Sequence, residues 1–503
     1  MTANPEHIVA QAHEKLDRLV EMVQSKDAAK DLLEVERSVL GHLIEIGNLA
    51  MMMFLKVQAQ LHCVQSAVAL DGSRLPYRAE RSGQLQTIFG SVPFERSYYW
   101  APGHGKGHYE LDSALNLPPT GPSDFVRILL EQLAVSMSYE EAAALLSSYF
   151  PVGKSTRGIQ DLILSDSQDA EEYYKQTPEP IVAPAETIVV VQADCKGVPM
   201  VAASAQASEV DSSDSQPGKE KDGPKREGKK KMATVTSVAT YAPLVRSPEQ
   251  VVESLFDKKT YDPGADAHSF KRVWATMQGK QAAIAQTQTF VNQIKNAPIS
   301  DRVLLIDGER ALREQFAAAF PGYVPVLDLL HAMGYLWKAA DAHFGAKNER
   351  GRQWVRSACL RMLKGDAPAI VDELFGWADQ TDQPSGYVPI ETSARYLDNN
   401  LDSMRYDQYL QKGWPIATGM IEGVCRHIVK DRCERSGQRW TQEGVEGMLR
   451  LRCVEENGDW NSYHDYRIRQ RQLRAYGREP KPPFVPKDTV RQFNIKNNFV
   501  EAV

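Results

Sequence analysis

The sequence lacks closely spaced cysteines, apolar runs of membrane length and a surplus of basic residues. Its six cysteines include no CxxC pair, which argues against a zinc knuckle or a disulfide framework and fits a reducing cytosol. The most apolar early run, residues 51–55, is far too short to cross a bilayer, and the first residues lack the basic and apolar regions of a secretion signal. We therefore expect a cytoplasmic protein without a membrane partner.

The formal net charge is also not that of a typical nucleic-acid-binding protein. The chain carries 59 Lys and Arg against 65 Asp and Glu, a net charge of -6 with a pI of about 6.1. This counts mildly against a nucleic-acid partner, although local basic clusters matter more than the total. At 503 residues the chain has room for several domains.

Two apolar strands each lead to an aspartate. Residues 303–306 predict a short buried strand with Asp307 at its exit, and residues 188–193 predict another that ends at Asp194. Carboxylates at the carboxyl ends of buried strands lie where open α/β sheets bind ligands. For Asp307 alone, an aspartate that caps the following helix is the favoured alternative. The second strand with the same ending indicates a shared acidic site.

A third carboxylate, Glu422, lies in the first turn of a helix predicted over residues 420–435. The order of predicted elements is that of a ribonuclease-H-like mixed sheet flanked by helices. The elements are strand, hairpin, strand, helix, strand with Asp307, strand, and helix with Glu422. Carboxylates at these points can hold two divalent cations about 4 Å apart. Oxygen ligands favour Mg²⁺ or Mn²⁺ over zinc. Acidic strand ends without a metal are common, and from the residues alone that alternative stays open.

Two N-terminal patterns are compatible with DNA binding. Alternation over residues 77–100 predicts a β hairpin with its turn at Gly90 and Ser91, and Arg96 lies there among aromatic residues. A purely structural small sheet is an equal alternative. Residues 123–157 predict short helices in a helix-turn-helix pattern, with Lys154 and Arg157 where the last helix begins. Many helical bundles share that pattern.

An ordered set of motifs spans roughly residues 65–465. The motifs are ADCKGVPM at 193–200, KKMATV at 230–235, LIDGER at 305–310, LDLLH at 327–331, GWPIATGMIEG at 413–423, VKDR at 429–432, SGQRW at 436–440 and MLRLR at 448–452. In this order they resemble DDE transposases of bacterial insertion sequences, specifically the ISKra type, which is more distantly related to the Mutator-like group.

The resemblance implies that Asp194, Asp307 and Glu422 form a catalytic triad that binds two Mg²⁺ (or Mn²⁺) ions. Asp328 and His331 match the D-x-x-H element of the family and are expected beside the site, where they would support the ligands or contact a DNA end. A core histidine is an equal alternative for His331. Position 195 departs from the family pattern, which has glycine there, but a cysteine tolerates strand geometry. The hairpin lacks the cysteines that some relatives carry, so we expect no zinc-bound N-terminal module.

The resemblance also implies cleavage at the terminal inverted repeats of an element, followed by attack of the freed 3′-hydroxyl on target DNA. A homodimer or higher oligomer on DNA is expected because two ends must be paired. Trp440 could stack on a frayed terminal base, although a core tryptophan is favoured. Phosphate contacts are expected from basic residues beside the site, namely Arg426, Lys430, Arg432, Arg435 and Arg439, and from Arg467, Arg469, Arg471, Arg474 and Arg478 in a late helix.

The motifs and breaks together predict an α/β catalytic core within a longer, mainly helical chain. Two alternatives remain: a ribonuclease-H-like nuclease that cuts without joining, and a domesticated DNA-binding protein without catalysis. The predicted regions are an N-terminal helical region (1–75), a β hairpin module (76–117), helix-turn-helix-like DNA-binding helices (118–180), the first part of the core (181–346, with a mobile loop at 202–231), a helical insertion (347–411), the Glu-bearing and basic helices (412–475) and a Pro-rich tail (476–503).

Overall fold

The computed structural model describes residues 5–25, 31–201, 230–257, 268–380, 384–417, 419–435 and 437–477. Nearly all of the predicted loop at 202–231 and of the predicted tail at 476–503 lies outside these residues, as does Arg478. The chain divides into two compact units. The small-sheet unit comprises residues 1–127, 147–152 and 465–503, and the large-sheet unit comprises residues 128–146 and 153–464.

The small-sheet unit contains a four-stranded antiparallel sheet in the order β1-β2-β3-β4. The predicted hairpin is confirmed, but Ile88 and Phe89 form its turn, because Thr87 already pairs with Gly90 across the two strands. Gly90 has a φ of +105°, which favours glycine. The elements of this region are α1 (Pro5–Gln24), α2 (Leu32–Leu61), β1 (Ser66–Val68), β2 (Arg74–Thr87), β3 (Gly90–Tyr99), β4 (His108–Tyr109) and α3 (Glu110–Leu115).

Helix α2 is longer and more apolar than the short run considered above. It spans 30 residues and contains an 18-residue window with a mean hydropathy of 1.5, only 6% of which is buried. By length and composition alone, it is the helix of the described chain that could cross a membrane. This single criterion does not test the expected absence of a membrane partner, which stays a prediction.

The large-sheet unit is built on a five-stranded mixed sheet in the order β7-β6-β5-β8-β9. Strands β5, β6 and β7 are antiparallel neighbours, whereas β8 runs parallel to β5 and β9 parallel to β8. This mixed sheet with its flanking helices confirms the predicted α/β class. The strands are β5 (Ile188–Pro199), β6 (Lys230–Tyr241), β7 (Lys271–Thr276), β8 (Asp301–Ile306) and β9 (Val324–Leu327).

Beyond residue 123 the described chain contains further helices, of which those between residues 349 and 411 share the main hydrophobic core of the large sheet. Ile188 and Val303 of the sheet, Leu336, and Cys359 and Ile390 of the predicted insertion belong to one buried cluster. The helices are α4 (Asp124–Ser136), α5 (Tyr139–Tyr149), α6 (Thr156–Asp166), α7 (Ala170–Gln176), α8 (Pro248–Phe256), α9 (Lys280–Gln293), α10 (Arg310–Ala319), α11 (Leu329–Phe344), α12 (Glu349–Leu363), α13 (Ala367–Asp379), α14 (Pro384–Asp398), α15 (Tyr406–Gln411), α16 (Gly419–Val424), α17 (Asp431–Cys433), α18 (Gln442–Glu456) and α19 (Trp460–Tyr476).

Two predicted boundaries are wrong. Strand β5 does not end at Asp194 but continues to Pro199, because its antiparallel partner β6 pairs with it along the whole length. The prolines and glycine of residues 383–389 predict a loop within the insertion, but the chain is helical from Pro384 onward and has Pro389 inside the helix. A proline at the first position costs little, since the first backbone N–H groups of a helix have no intrahelical acceptor.

Candidate active site

The register of the large sheet brings the first two predicted carboxylates together. Ala193 in β5 lies beside Ile306 in the parallel strand β8, so the next residues, Asp194 and Asp307, follow on neighbouring strands. Neighbouring strands are about 4.8 Å apart, and adjacent positions of parallel strands face the same side. Both aspartates are half-buried. The two carboxylates therefore share one edge of the sheet.

A buried thiol links Asp194 to the chain segment that carries Glu422. Cys425, three residues after Glu422, donates its S–H to Asp194 Oδ2 at 3.3 Å, and the Cys195 backbone N–H donates to Asp194 Oδ1 at 2.6 Å. Burial raises the pKa of the Cys425 thiol far above its usual range, so the thiol keeps its proton and can donate. Cys195 itself pairs with Thr234 inside the β5–β6 ladder. Cysteine is thus accommodated at position 195 as a regular strand residue.

The exit of β8 at Asp307 is held by residues far away in sequence. Asp307 Oδ1 accepts the backbone N–H of Glu309 at 2.9 Å, which accounts for one of its two oxygens, although α10 begins only at Arg310. The Asp307 carbonyl accepts the hydroxyl of Tyr396, whose ring stacks on Tyr335 at 3.7 Å. Tyr396 belongs to α14, so the predicted insertion orients the strand exit.

Asp307 is followed by a glycine that the structure requires. Gly308 has a φ of +82°, and a Cβ added there would lie 2.7 Å from the Tyr396 hydroxyl oxygen and 2.8 Å from a Leu327 methyl carbon. Side chains avoid both this φ and such short contacts. The backbone after Asp307 therefore turns tightly against α14.

Burial raises the pKa of the Asp307 carboxyl, and the nearby Asp194 carboxylate raises it further, against the lowering effect of the Glu309 N–H. None of Asp194, Asp307 and Glu422 forms an ion pair with a lysine or arginine within 4.0 Å in the described part of the chain. The electrostatic conditions at this edge therefore favour a bound cation.

Glu422 lies closest to a different pair of predicted residues. Ligand atoms of Asp328, His331 and Glu422 all lie within 4.8 Å of one another, and no such group with Asp194 or Asp307 occurs among the described residues. Asp328 is fully buried and caps α11, whereas Glu422 is exposed. Asp194 and Asp307 thus meet at the sheet edge, and Glu422 stands beside the D-x-x-H pair rather than completing a tight three-carboxylate cluster.

His331 is oriented by Asp328 and exposed toward the carboxylates. Asp328 Oδ2 accepts the backbone N–H of His331 at 2.9 Å and its ring Nδ1–H at 2.5 Å. The hydrogen bond to Asp328 raises the pKa of His331, burial opposes the shift, and the charges of Asp307 and Glu422 add to it. The core-histidine alternative is wrong, because the side chain is 37% exposed.

An open groove of about 300 Å³ lies over this histidine. In this groove, Lys338 Nζ lies 4.6 Å from the centre of the Tyr335 ring. This contact keeps the lysine ammonium group near the acidic side chains. An anionic ligand entering the groove would meet this lysine and the imidazole on one wall. The groove is lined by Leu330, His331, Gly334, Tyr335, Lys338 and Glu422.

The helix that carries Glu422 contains a π-helical segment, Cys425–Lys430, directly after α16. Such segments bond i to i+5 and leave carbonyl groups displaced from the regular ladder. Arg452 donates to the carbonyls of Ile428, at 2.8 Å, and of His427, and also to that of Val135. A common face for Glu422, Arg426 and Lys430 would require 3.6 residues per turn throughout, and that spacing does not continue through the segment.

The predicted phosphate contacts beside the site separate into exposed and internal groups. Arg426 and Lys430 are exposed, and Arg435 pairs with Glu141 at 2.6 Å. Arg439 lines a cavity of about 410 Å³. Arg432 is only 1% exposed, and the prediction that it contacts DNA is wrong, because its guanidinium is enclosed in the protein.

The residues around Arg432 explain its burial. It lies 5.1 Å from the ring centre of Tyr139 and 4.9 Å from that of Trp440, and its Nε donates to the Ala134 carbonyl at 2.8 Å. Trp440 is 6% exposed and donates its indole N–H to the Cys433 carbonyl at 3.1 Å. Trp440 is therefore a core tryptophan, the favoured alternative, and is not presented for stacking on a base.

The helices predicted as helix-turn-helix-like are present as α4, α5 and α6. The spacing of Ser138 and Glu141 is that of a capping box, and the two residues exchange side-chain and backbone hydrogen bonds at 2.8 and 3.1 Å. Arg157 in the first turn of α6 is exposed and lies 3.8 Å from Asp161, and Lys154 just before α6 is half-buried. DNA binding by Lys154 and Arg157 stays a prediction.

In the small-sheet unit, the cations and aromatic rings of the hairpin contact one another. Arg96 pairs with Asp112 and lies 3.9 Å from the ring centre of Tyr109, while Arg81 lies 4.3 Å from that of Tyr98. These contacts support the structural alternative for Arg96 over the DNA-binding one.

The late basic helix α19 also uses some of its arginines internally. Arg471 binds both carboxylate oxygens of Asp124, at 2.6 and 2.7 Å, and Arg467 is 3% exposed. The predicted DNA contacts are therefore wrong for Arg467 and Arg471. Arg469, on the same helix, is exposed.

The sequence did not predict a role for four residues near the site, namely Cys425, Tyr396, Lys338 and Arg452. Cys425, Tyr396 and Arg452 act on groups distant in the chain, which no local pattern identifies, whereas Lys338 contacts Tyr335 on its own helix. The π-helical segment likewise has no signal in residues 425–430. The motif MLRLR did include Arg452, but without a role.

Comparison with known families and proteins adds a limited result. A model of the family described as "Uncharacterised protein family (UPF0236)" matches residues 32–186. The matched segment holds α2, the small sheet and helices α3 to α7, and it ends before Asp194, so it covers none of the three carboxylates. A search of curated proteins finds no match to the chain.

Proposed function

We propose that this protein is a DNA transposase that binds the terminal inverted repeats of an insertion sequence and cuts and joins DNA by a DDE two-metal mechanism. The observation that carries the proposal is the register of β5 and β8, which sets Asp194 and Asp307 side by side without a basic partner among the described residues. A structural ion pair would supply such a partner. Two adjacent carboxylates that lack one favour a divalent cation.

The sheet order supports a ribonuclease-H-like core for the large-sheet unit. Three antiparallel strands are followed by two strands parallel to the first, and the order β7-β6-β5-β8-β9 puts the first strand at the centre. That is the arrangement expected from the motif resemblance. Asp307 then follows the carboxyl end of β8, where such sheets place their ligands, and Asp194 lies beside it within β5, which continues to Pro199.

The donor set fits hard divalent cations. Asp194 and Asp307 offer carboxylate oxygens at one edge, and Glu422 offers another beside His331. These oxygen donors suit Mg²⁺ or Mn²⁺. Two such ions, when bound, would activate the attacking oxygen and stabilise the leaving one.

The chain's own residues would prepare this site in distinct ways. Cys425 donates an S–H···O hydrogen bond to the Asp194 carboxylate, and the Tyr396 hydroxyl donates to the Asp307 carbonyl. Both aspartates are therefore positioned before a ligand binds. Lys338 lines the groove and would attract the phosphate of a DNA strand. The exposed Arg426 and Lys430 would extend this contact along the backbone.

The proposed partners are the terminal repeats and a target DNA, with two copies of the protein pairing two ends. The proposed location is the bacterial cytoplasm, at the nucleoid when DNA is bound. Because affinity would come mainly from phosphates, binding should weaken steeply with salt. These statements rest on the resemblance and on the groove described above.

The test is a paired assay of cleavage and joining on linear DNA that carries the genomic sequences flanking the gene. With Mg²⁺, the wild-type protein should cut at the element ends and join the 3′ ends to a second DNA. Asp307→Ala should lower cleavage by about 10³-fold or more, since several kcal/mol of charge stabilisation are lost. Asp301→Ala, at the opposite end of the same strand, is the matched control and should cut normally.

The outcomes separate the alternatives. Cleavage without joining, lost in Asp307→Ala, would indicate a ribonuclease-H-like nuclease. DNA binding with no metal-dependent chemistry in the wild-type protein would indicate a domesticated DNA-binding protein. Equal cleavage by wild type and Asp307→Ala would show that the carboxylate edge is structural and would contradict the proposal.

A further inference from the structure

The cluster of Asp328, His331 and Glu422 mixes one nitrogen donor with oxygen donors, unlike the Asp194–Asp307 edge. All three ligand atoms fall within 4.8 Å of one another. Asp328 contributes least to an ion, because it is fully buried and its Oδ2 already accepts two N–H groups of His331. The groups that remain for an ion are the imidazole and the Glu422 carboxylate.

The orientation of the imidazole is set before any ion binds. A carboxylate only accepts hydrogen bonds, so Nδ1 of His331 carries the proton in its contact with Asp328. Nε2 then points away from Asp328, and the structure gives it no hydrogen-bond partner in the described part of the chain. A buried carboxylate that holds the N–H of a histidine is the arrangement that orients metal-binding imidazoles in proteins.

The surroundings of His331 favour an ion at Nε2 over a structural role. The side chain is 37% exposed and lines the groove together with Glu422, so the nitrogen is open to solvent and to a ligand. The charges of Asp307 and Glu422 both reach this imidazole. A core histidine would be enclosed, whereas His331 lines the groove.

We propose that His331 Nε2 and the Glu422 carboxylate hold one of the two divalent cations, with Asp328 as the residue that positions the imidazole. This inference rests on the proposed function and deepens it, since it gives the two ions different donor sets. The ion at Asp194 and Asp307 is held by oxygen, whereas the ion at Glu422 is held by nitrogen and oxygen. Because Mn²⁺ and Co²⁺ accept nitrogen ligands more readily than Mg²⁺ does, the second position should bind Mn²⁺ more tightly than Mg²⁺.

The experiment measures Mn²⁺ binding to the metal-free full chain and the nitrogen coupling of the bound ion by pulsed electron paramagnetic resonance. In wild-type protein, bound Mn²⁺ should show ¹⁴N modulation, which should change to the ¹⁵N pattern when histidine is ¹⁵N-labelled. His331→Gln should lose the modulation and bind Mn²⁺ about 10- to 100-fold more weakly at one site. Its Mg²⁺ affinity should change by less than about threefold, since imidazole adds little to Mg²⁺.

His427→Gln is the matched control. His427 lies five residues after Glu422, its side chain is 62% exposed, and it contacts Asp431 at 3.5 Å. This variant should keep the ¹⁴N modulation and the Mn²⁺ affinity. The ¹⁵N-labelled wild-type protein shows without any substitution whether a histidine binds Mn²⁺. The proposal can therefore be tested even if His331→Gln does not fold.

Three results would overturn the inference. Bound Mn²⁺ without ¹⁴N modulation in wild type would show that no histidine is a ligand, and Asp307-dependent cleavage would then leave the proposed function standing. Modulation that persists in His331→Gln would assign the nitrogen to another residue. No Mn²⁺ bound by any variant would remove both this inference and the two-metal proposal.

Discussion

Two arginines of the small-sheet unit are paired with aspartates inside the fold, whereas two adjacent aspartates of the large sheet have no basic partner among the described residues. In the small-sheet unit, Arg96 pairs with Asp112, and Arg471 holds both oxygens of Asp124. In the large-sheet unit, Asp194 and Asp307 lie on adjacent strands, and the described residues supply neither with a lysine or arginine.

The difference gives a physical criterion for separating structural from functional charge. When a buried charge has an oppositely charged partner, their attraction offsets part of the desolvation cost, and the charge needs no ligand. Adjacent like charges without a partner destabilise the protein until a cation arrives. The composition of the hairpin is compatible with DNA binding, yet its arginines contact carboxylates and aromatic rings of the same unit. Asp194 and Asp307, in contrast, have no cationic partner among the described residues.

The largest expected effect tests the paired side of this comparison. Arg471→Met should lower the free energy of unfolding by about 3 kcal/mol, because the partly buried Asp124 loses its bidentate partner and keeps the longer contact with Arg467 at 3.8 Å. Urea unfolding followed by circular dichroism measures the change. Arg469→Met, an exposed arginine on the same helix, should change it by less than about 0.5 kcal/mol. Equal effects would mean that α19 is not held by this ion pair.

A smaller effect tests how firmly the acidic edge is held. Gly308→Ala should cost about 1–3 kcal/mol, since alanine disfavours a φ of +82° and its methyl would meet Tyr396 and Leu327. Gly322→Ala isolates the backbone contribution, because Gly322 has a φ of +85° and nothing lies within 4 Å of an added Cβ. The thermal unfolding of the two variants should differ by the steric part alone. If both lose the same stability, the contact with α14 does not constrain the turn.

The smallest effect has the opposite sign and tests the unpaired side. The pKa of Asp307 is raised in the folded protein, so the folded state holds this proton more tightly than the unfolded chain does. Stability in metal-free buffer should therefore decrease as the pH rises through that pKa, and Asp307→Asn should remove this decrease. Near neutral pH and with a chelator, the variant should melt above the wild type.

The two proteins should converge at low pH, where the wild-type carboxyl is protonated. Added Mg²⁺ should raise the melting temperature of the wild type alone. A variant that melts below the wild type in chelator at neutral pH would show that the Asp307 charge stabilises the fold, and the contrast between the two sheets would fail.

Local patterns predicted the elements of the large sheet well. The apolar run at 303–306 is the interior of β8, residues 324–327 form β9, and the helix expected over 282–294 is α9. These elements depend on burial of consecutive apolar residues or on helical periodicity, which neighbouring residues determine. The predicted end of β5 was wrong, because pairing with β6, a strand distant in the sequence, extends β5 to Pro199.

The candidate site was predicted residue by residue but not in its grouping. Asp194, Asp307, Glu422, Asp328 and His331 were all identified, and the structure joins Glu422 with Asp328 and His331. The predicted DNA contacts Arg432 and Trp440 turned out to lie in the interior. Composition reveals that a residue is basic or aromatic, but it does not reveal whether another part of the chain covers it.

The sequence by itself determined most of β5, together with β6, β8, β9, most of the helices, the hairpin and the capping box at Ser138, because each depends on residues within a few positions. It did not identify β7. The tertiary structure decided which groups meet. Cys425 reaches Asp194 across 231 positions, and Tyr396 reaches Asp307 across 89. Such contacts follow from how strands and helices pack, and their energies depend on burial and distance in space. The charges that are satisfied inside the protein, and those left for a ligand, are therefore a property of the fold.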